Sequence, residues 1–269
     1  PKLKFIAARS TGFDHIDMKE CKKRKITVTN VPRYGENTVA EHAFALLMSI
    51  SRNVHKSNIR TFKNDFSIQG LTGFDLKGKT IGIIGGGHIG MHVANMARGF
   101  SMNVLVYDVH TEPFMSELIG FEYVALDDLL KRSDVVTMHA PYNEHPHHMI
   151  NMDNITKLKR GTVFINTARG GLIDTDALLF ALEKKIISNA GIDVIEGEEY
   201  FIKNTPDPDS TEVEGEILKT MERNQKIVHM PNVIYTPHNA FNSEEAVHRI
   251  LDTTIENIIA QDKAKNIVK

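Results

Sequence analysis

A chain of 269 residues with 41% hydrophobic content can bury one or two sizeable cores. A formal net charge of -2, with acids and bases interspersed, leaves no electrostatic footprint for nucleic acid, and no run approaches the roughly 20 apolar residues that span a bilayer. One cysteine, Cys21, excludes an internal disulfide and, with no secretory signal in view, predicts a cytoplasmic protein in which that residue packs.

In chain order, two strands are expected at residues 4–8 and 27–30. The basic run Lys22-Lys23-Arg24-Lys25 before the second reads as a solvated helix end or turn. Residues 38–53 read as a long helix whose segment Ala43-Phe44-Ala45-Leu46-Leu47-Met48 is too apolar for a simple surface helix, so it is expected at a domain or subunit interface. Short apolar runs then alternate with amphipathic segments, at residues 80–84, 104–107, 134–139, 162–166, 189–194 and 233–236. That rhythm predicts an α/β fold built on a doubly wound parallel sheet. Residues 196–225 form an acidic excursion with Pro206 and Pro208 and a helix expected over 211–223. The final helix, 244–262, carries Val247, Ile250, Leu251, Ile255, Ile258 and Ile259 at helical spacing, which reads as core packing.

Residues 81–90, Ile-Gly-Ile-Ile-Gly-Gly-Gly-His-Ile-Gly, read as a buried strand running into a glycine-rich turn and a helix start. Gly85, Gly87 and Gly90 fit G-x-G-x-x-G, in which the glycines serve a tight turn, backbone approach to a pyrophosphate, and close helix–strand packing. The helix N-terminus offers free N–H groups to phosphates. Asp108 ends the next strand about 20 residues on, where an acid binds an adenosine ribose 2′-hydroxyl and repels a 2′-phosphate. No arginine follows it at Val109 or His110, so NAD is favoured over NADP.

Later strands end in His139-Ala140-Pro141, Asn166-Thr167-Ala168-Arg169-Gly170-Gly171, Asp193 with Glu198, and Pro237-His238, where open α/β sheets place ligands. Arginine can grip a carboxylate at two points and polarise an adjacent carbonyl. Histidine suits proton transfer at neutral pH, and a carboxylate beside it, for which Glu198 is the candidate, keeps it charged until it donates. With nicotinamide supplying the hydride, this set fits interconversion of a 2-oxo acid and a 2-hydroxy acid. His145, His147 and His148 lie in a polar loop without a ligand set at metal spacing, so they are expected to face solvent and no metal site is expected.

The chain resembles the D-isomer-specific 2-hydroxyacid dehydrogenases, closest to their D-lactate dehydrogenase branch. The matching stretches are Arg9-Ser10-Thr11-Gly12-Phe13-Asp14-His15-Ile16-Asp17, Asn30-Val31-Pro32-Arg33-Tyr34, Ala40-Glu41-His42-Ala43, the glycine turn, Asn166 to Gly171, Asp193-Val194-Ile195-Glu196 and Thr236-Pro237-His238-Asn239-Ala240-Phe241. The resemblance implies that Arg169 binds substrate, His238 is the acid/base and Glu198 its partner; of the crowded Glu196, Glu198 and Glu199, the family's spacing selects Glu198. Asp193 would hold the nicotinamide carboxamide, His88 and Ile89 would face the pyrophosphate, and Ala140, Pro141, Thr167 and Ala168 would line the cofactor cleft. Substrate would meet the backbone of Thr11 and Gly12, with Tyr34 and Phe241 closing the pocket and pointing towards lactate.

It also implies an NAD-binding Rossmann domain over 35–241 that forms a homodimer, and a remnant of a flavodoxin-like substrate domain at 1–34 and 242–269. The first half of that domain has no counterpart here, so this chain is expected to be a poorly active fragment of an active enzyme. Three departures bear on substrate preference: Pro146 where relatives commonly carry threonine or asparagine, Asn242-Ser243 after Phe241, and a longer excursion before His238. The alternatives are a preference for a larger, branched-chain 2-oxo acid, or an NADH-sensing binding protein similar to corepressors of the same superfamily.

Overall fold

The computed structural model describes residues 2–13, 15–142, 147–198 and 214–267. Glu199, His145, Pro146 and most of the excursion, with Pro206 and Pro208, therefore lie outside the described residues. The first elements are β1 (Phe5–Ala7), α1 (Met18–Lys23), β2 (Thr27–Thr29), α2 (Glu36–Arg52) and α3 (Val54–Phe62). Next come β3 (Thr80–Ile84), α4 (His88–Gly99), β4 (Asn103–Tyr107), α5 (Pro113–Ile119), β5 (Glu122–Tyr123), α6 (Leu126–Arg132) and β6 (Val135–Met138). The remainder are β7 (Thr162–Asn166), α7 (Thr175–Glu183), β8 (Ile187–Ile192), α8 (Glu214–Val228), β9 (Val233–Tyr235) and α9 (Glu244–Ile267). The chain divides into two units, Pro1–Thr38 with Phe241–Lys269, and Val39–Ala240.

In the first unit β1 and β2 pair in parallel. The α1 connection starts where Asp17 accepts a hydrogen bond from the Glu20 amide at 2.8 Å, and its Cys21 is buried. Arg249 and Asn257 of α9 donate to the carbonyls of Tyr34 (2.6 Å) and Asn30 (3.1 Å). The stripe expected to be core on this helix is core only at its start. Ile250 is buried, but Leu251, Ile255, Ile258 and Ile259 are 39 to 53% exposed. A 24-residue helix is about 36 Å long, whereas three-residue strands offer it about 10 Å of sheet.

The second unit is a seven-stranded, all-parallel sheet in the order β5-β4-β3-β6-β7-β8-β9. Every residue of β6 and β7 is buried, as in a sheet covered on both faces, and each fully buried Val, Ile or Phe there contributes about 1.5–3 kcal/mol. The chain leaves β3 in one direction through β4 and β5 and in the other through β6 to β9, so the order reverses between β3 and β6. At such a reversal the connections diverge and leave a crevice beyond the strand ends.

The apolar segment of helix α2 has a place inside this unit. Its Ala43, Phe44, Leu46, Leu47 and Ile50 are buried with Ile81, Ile83 and Ile165 of this unit's own sheet. The close approach depends on Gly191 in β8, where an added Cβ would lie 2.9 Å from the Leu46 Cβ. Helix α1 ends in the basic run read as a helix end or turn, helix α3 and the two-residue β5 were not expected, and α8 runs to Val228 rather than stopping at 223. No helix among the described residues is long and apolar enough to cross a membrane.

Candidate active site

The glycine turn joins β3 to α4. Gly85 has φ +102, and a Cβ there would fall 2.4 Å from the Ala140 backbone nitrogen, at the end of β6. Gly90, in the first turn of α4, sits against the Gly85 carbonyl, which a Cβ would strike at 2.0 Å. Gly87 has nothing among the described residues within 4 Å of its Cβ position, so the backbone between these two contacts is left uncovered by them ahead of the α4 N-terminus. His88 is exposed at that N-terminus, while the Ile89 side chain packs partly into the core. Asp108, just after β4, takes the Gly86 amide on Oδ2 at 2.6 Å and the His110 amide on Oδ1 at 2.9 Å, fixing the carboxylate beside the turn.

These residues fit a dinucleotide, and two orphaned polar atoms along the same edge agree. Thr167 Oγ1 and His139 Nδ1 are buried without a hydrogen-bond partner among the described residues. His139, whose Nε2 pairs with Thr137 Oγ1 at 2.8 Å, has its pKa lowered by burial to about 3, so its ring is neutral. Beside it, Ala140 is buried and Pro141 exposed.

The turn after β7 presents Arg169. Buried Asn166 folds it by accepting from the Ala168 amide and donating to the Arg169 carbonyl, both at 3.0 Å. Arg169 itself is half-buried, with Nη1 donating to the Ala168 carbonyl at 2.8 Å. Gly170 lets this turn press on the segment that leads to Glu198, since a Cβ there would lie 2.1 Å from the Ile195 carbonyl carbon.

His238 lies after β9 with φ +51, a left-handed conformation that a non-glycine residue adopts at a cost. Asp193, fully buried after β8, holds it there. Its carboxylate accepts from Thr236 Oγ1 (2.5 Å), the Asn239 amide (3.0 Å) and the Ala240 amide (2.9 Å), and its carbonyl accepts from the His238 amide (2.9 Å). His42 of α2 adds its Nε2 to Thr236 Oγ1 at 3.0 Å, 3.5 Å from Asp193 Oδ1. The Asp193 carboxylate, assigned by the resemblance to a nicotinamide carboxamide, thus also clamps the loop that carries the acid/base. His42 stands in one of the matching stretches but was given no role, and nothing local to α2 signals that it reaches this loop.

Glu198 Oε1 is 2.6 Å from His238 Nδ1. That hydrogen bond raises the His238 pKa above its ordinary value against the opposing effect of burial; the charges of Glu198 and Asp193 add to the rise, and Arg169 acts against it. Of the crowded glutamates, Glu196 turns elsewhere, to His148 at 2.7 Å and the Thr175 hydroxyl at 2.8 Å. Arg169, Asp193, Glu198 and His238 therefore form one charged cluster in the second unit. Thr11, Gly12, Tyr34 and Phe241 belong to the first, where Thr11 Oγ1 donates to the Val31 carbonyl at 3.0 Å and the Tyr34 and Phe241 rings meet edge to face at 6.2 Å.

Comparison with known proteins bears on this cluster. Residues 44–240 match the family model described as D-isomer specific 2-hydroxyacid dehydrogenase, NAD binding domain. The chain is 38% identical to a Haemophilus influenzae 2-hydroxyacid dehydrogenase homolog, over 95% of this chain and 75% of that protein. It is 37% identical to a glyoxylate reductase of Korarchaeum cryptofilum, over 97% of this chain and 73% of that protein. The structure superposes with a TM-score of 0.87 and 39% identity on the Aquifex aeolicus D-lactate dehydrogenase complexed with NAD and lactic acid, covering 98% of this chain and 78% of that one.

Proposed function

The chain belongs to the D-isomer-specific 2-hydroxyacid dehydrogenases and is an NAD-dependent oxidoreductase, and on that premise we propose that it interconverts pyruvate and D-lactate. The observation that supports the chemistry is the hydrogen-bonded pair of His238 and Glu198 with the Arg169 charge beside it, at the carboxyl ends of the strands. For the substrate, support comes from the likeness to a D-lactate dehydrogenase whose structure contains lactic acid.

In this reading the Arg169 fork takes the carboxylate of the 2-oxo acid and polarises its C2 carbonyl. His238 Nδ1 is engaged by Glu198, which leaves Nε2 to give a proton to the carbonyl oxygen. Glu198 stabilises the imidazolium before transfer, and Asp193 keeps the ring in place through the Thr236 hydroxyl before it and the amides of His238, Asn239 and Ala240. The dinucleotide, held by the Gly85–Gly90 turn and Asp108 with Ala140, Pro141, Thr167 and Ala168 along the cleft, supplies the hydride when bound. In the reverse direction neutral His238 takes the proton of the hydroxyl group. The protein acts as a cytoplasmic homodimer; large apolar side chains in α3 and after it, Phe62 (82% exposed), Phe66 (75%) and Ile68 (84%), support an association through the second unit.

The test is oxidation of NADH followed at 340 nm with pyruvate, run on this chain and on a version extended at its N-terminus to the length of its relatives. Turnover that disappears in His238→Ala, while NADH binding persists, is the expected result. Turnover unchanged in that variant would remove His238 from the chemistry. A higher kcat/KM for glyoxylate or a branched-chain 2-oxo acid than for pyruvate would move the substrate assignment and leave the mechanism standing; one methylene in an apolar pocket changes it by about 1–3 kcal/mol.

A further inference from the structure

A second set of ligand-type side chains lies apart from His238. The ligand atoms of His147, His148 and Glu196 all lie within 4.8 Å of one another. We propose that these three residues form a binding site for a divalent transition-metal ion of the zinc type, joining the loop after β6 to the loop after β8.

Neighbouring residues of an extended chain point their side chains to opposite faces. His148 has φ +49, and the His147 and His148 rings are stacked at 3.7 Å between centroids and 24° between planes. Two imidazoles are thereby presented together. Glu196 reaches them from 48 residues further on, with Oε1 2.7 Å from His148 Nε2. This distance in sequence is why the histidine loop, read alone, shows no ligand set.

Two of the ligands are also supported from behind. Glu196 Oε2 accepts from the buried Thr175 at 2.8 Å, and the Glu196 carbonyl accepts from Asn224 Nδ2 at 2.9 Å. His147 Nδ1 pairs with the Tyr142 hydroxyl at 3.0 Å. Such outer hydrogen bonds orient ligands and raise metal affinity.

Two imidazoles and one carboxylate select zinc and its neighbours over magnesium or calcium, which prefer all-oxygen sites. Tetrahedral zinc, about 2.0–2.1 Å from each donor, needs the donors about 3.3 Å apart. Lone pairs of an imidazole lie in the ring plane, so binding one ion requires the stacked His147 and His148 rings to turn apart; His147 is exposed and the other two residues half-buried, which leaves room for that turn and gives solvent ions access. Three protein ligands leave a fourth position for water. Because Glu196 precedes Glu198 by two residues, an ion here anchors the chain that carries the partner of His238.

The experiment is calorimetric titration of ZnCl2 into the chelator-treated full chain, repeated on His147→Ala, His148→Ala, Glu196→Gln and His238→Ala, with circular dichroism to verify folding. One site per chain is expected, weakened roughly tenfold or more in each of the first three variants and kept in His238→Ala. Cobalt(II) should give a visible absorption band with the parent chain that the three variants lose. Equal zinc affinity in the parent and in His147→Ala and His148→Ala, or loss of the site in His238→Ala alone, would overturn the proposal.

Discussion

Two turns at the carboxyl edge of the same sheet, the Gly85–Gly90 turn and the loop around His238, solve one backbone problem in opposite ways. Both contain a left-handed residue, at φ +102 and φ +51. At Gly85 the residue type removes the cost, since glycine visits this region freely and any side chain would collide with the end of β6. At His238 the residue type is dictated by chemistry, so the conformation must be held from outside, and Asp193 holds it through three backbone amides and the Thr236 hydroxyl. The left-handed residue of the cofactor turn is allowed by its own type, with Asp108 holding the next amide; that of the acid/base loop is held by a buried carboxylate from another strand.

Substitutions separate the two designs, and the largest effect is expected where the backbone itself has no room. Gly85→Val combines a disfavoured φ with a Cβ 2.4 Å from a backbone nitrogen. A loss of about 3–5 kcal/mol in urea unfolding is expected, with NADH binding abolished. A stably folded Gly85→Val that still binds NADH would show that the turn does not need its glycine. Asp193→Ala comes next. It leaves buried donors of Thr236, Asn239 and Ala240 without an acceptor, for a loss of about 2–3 kcal/mol. Activity should fall far more than NADH affinity, because the loop that moves carries His238 and not the glycine turn.

The same contrast explains what could be read from the sequence. The parallel sheet, the glycine turn and Asp108 are legible because each is written in contiguous residues: apolar runs of strand length, glycines at fixed spacing, an acid at a strand end. Arg169 and His238 are legible as types at strand ends. The choice among Glu196, Glu198 and Glu199 needed the family's spacing, because three neighbouring carboxylates differ only in what folds against them. The joint use of His42, Thr236 and Asp193 joins α2, β8 and the end of β9, and no local pattern announces such a contact. The final helix misled for the same reason: Leu251, Ile255, Ile258 and Ile259 have core periodicity, but burial depends on how much sheet is present to receive them.

Glu198→Gln tests the electrostatic part of the acid/base loop while keeping an oxygen for the hydrogen bond to His238. Glu198 is the main reason that the His238 pKa is raised, so the variant should lose its charged imidazole at lower pH, and the pH above which pyruvate reduction declines should move down. Stability carries the matching sign. A raised folded-state pKa stabilises fully below the unfolded value of about 6.5, and that contribution is lost as pH rises through the folded value. The parent should therefore exceed the variant in stability most at about pH 6, with the gap shrinking towards pH 9. A gap that widens with pH would contradict the assignment.

The smallest effect, and the finest probe of the comparison, is expected at His42. Thr236 Oγ1 donates to Asp193, so at 3.0 Å its oxygen accepts from the His42 Nε2–H, and the histidine stiffens the clamp from behind without touching His238. His42→Phe keeps the ring and removes the donor, for an expected loss of about 1 kcal/mol and less than a tenfold change in kcat. Amide hydrogen exchange localises the consequence. The Asn239 and Ala240 amides, held by Asp193, should exchange faster, while the Gly86 amide, held by Asp108 at 2.6 Å, should be unchanged. Equal acceleration at all three sites would mean that α2 supports the whole edge of the sheet and that the two turns are not independently held.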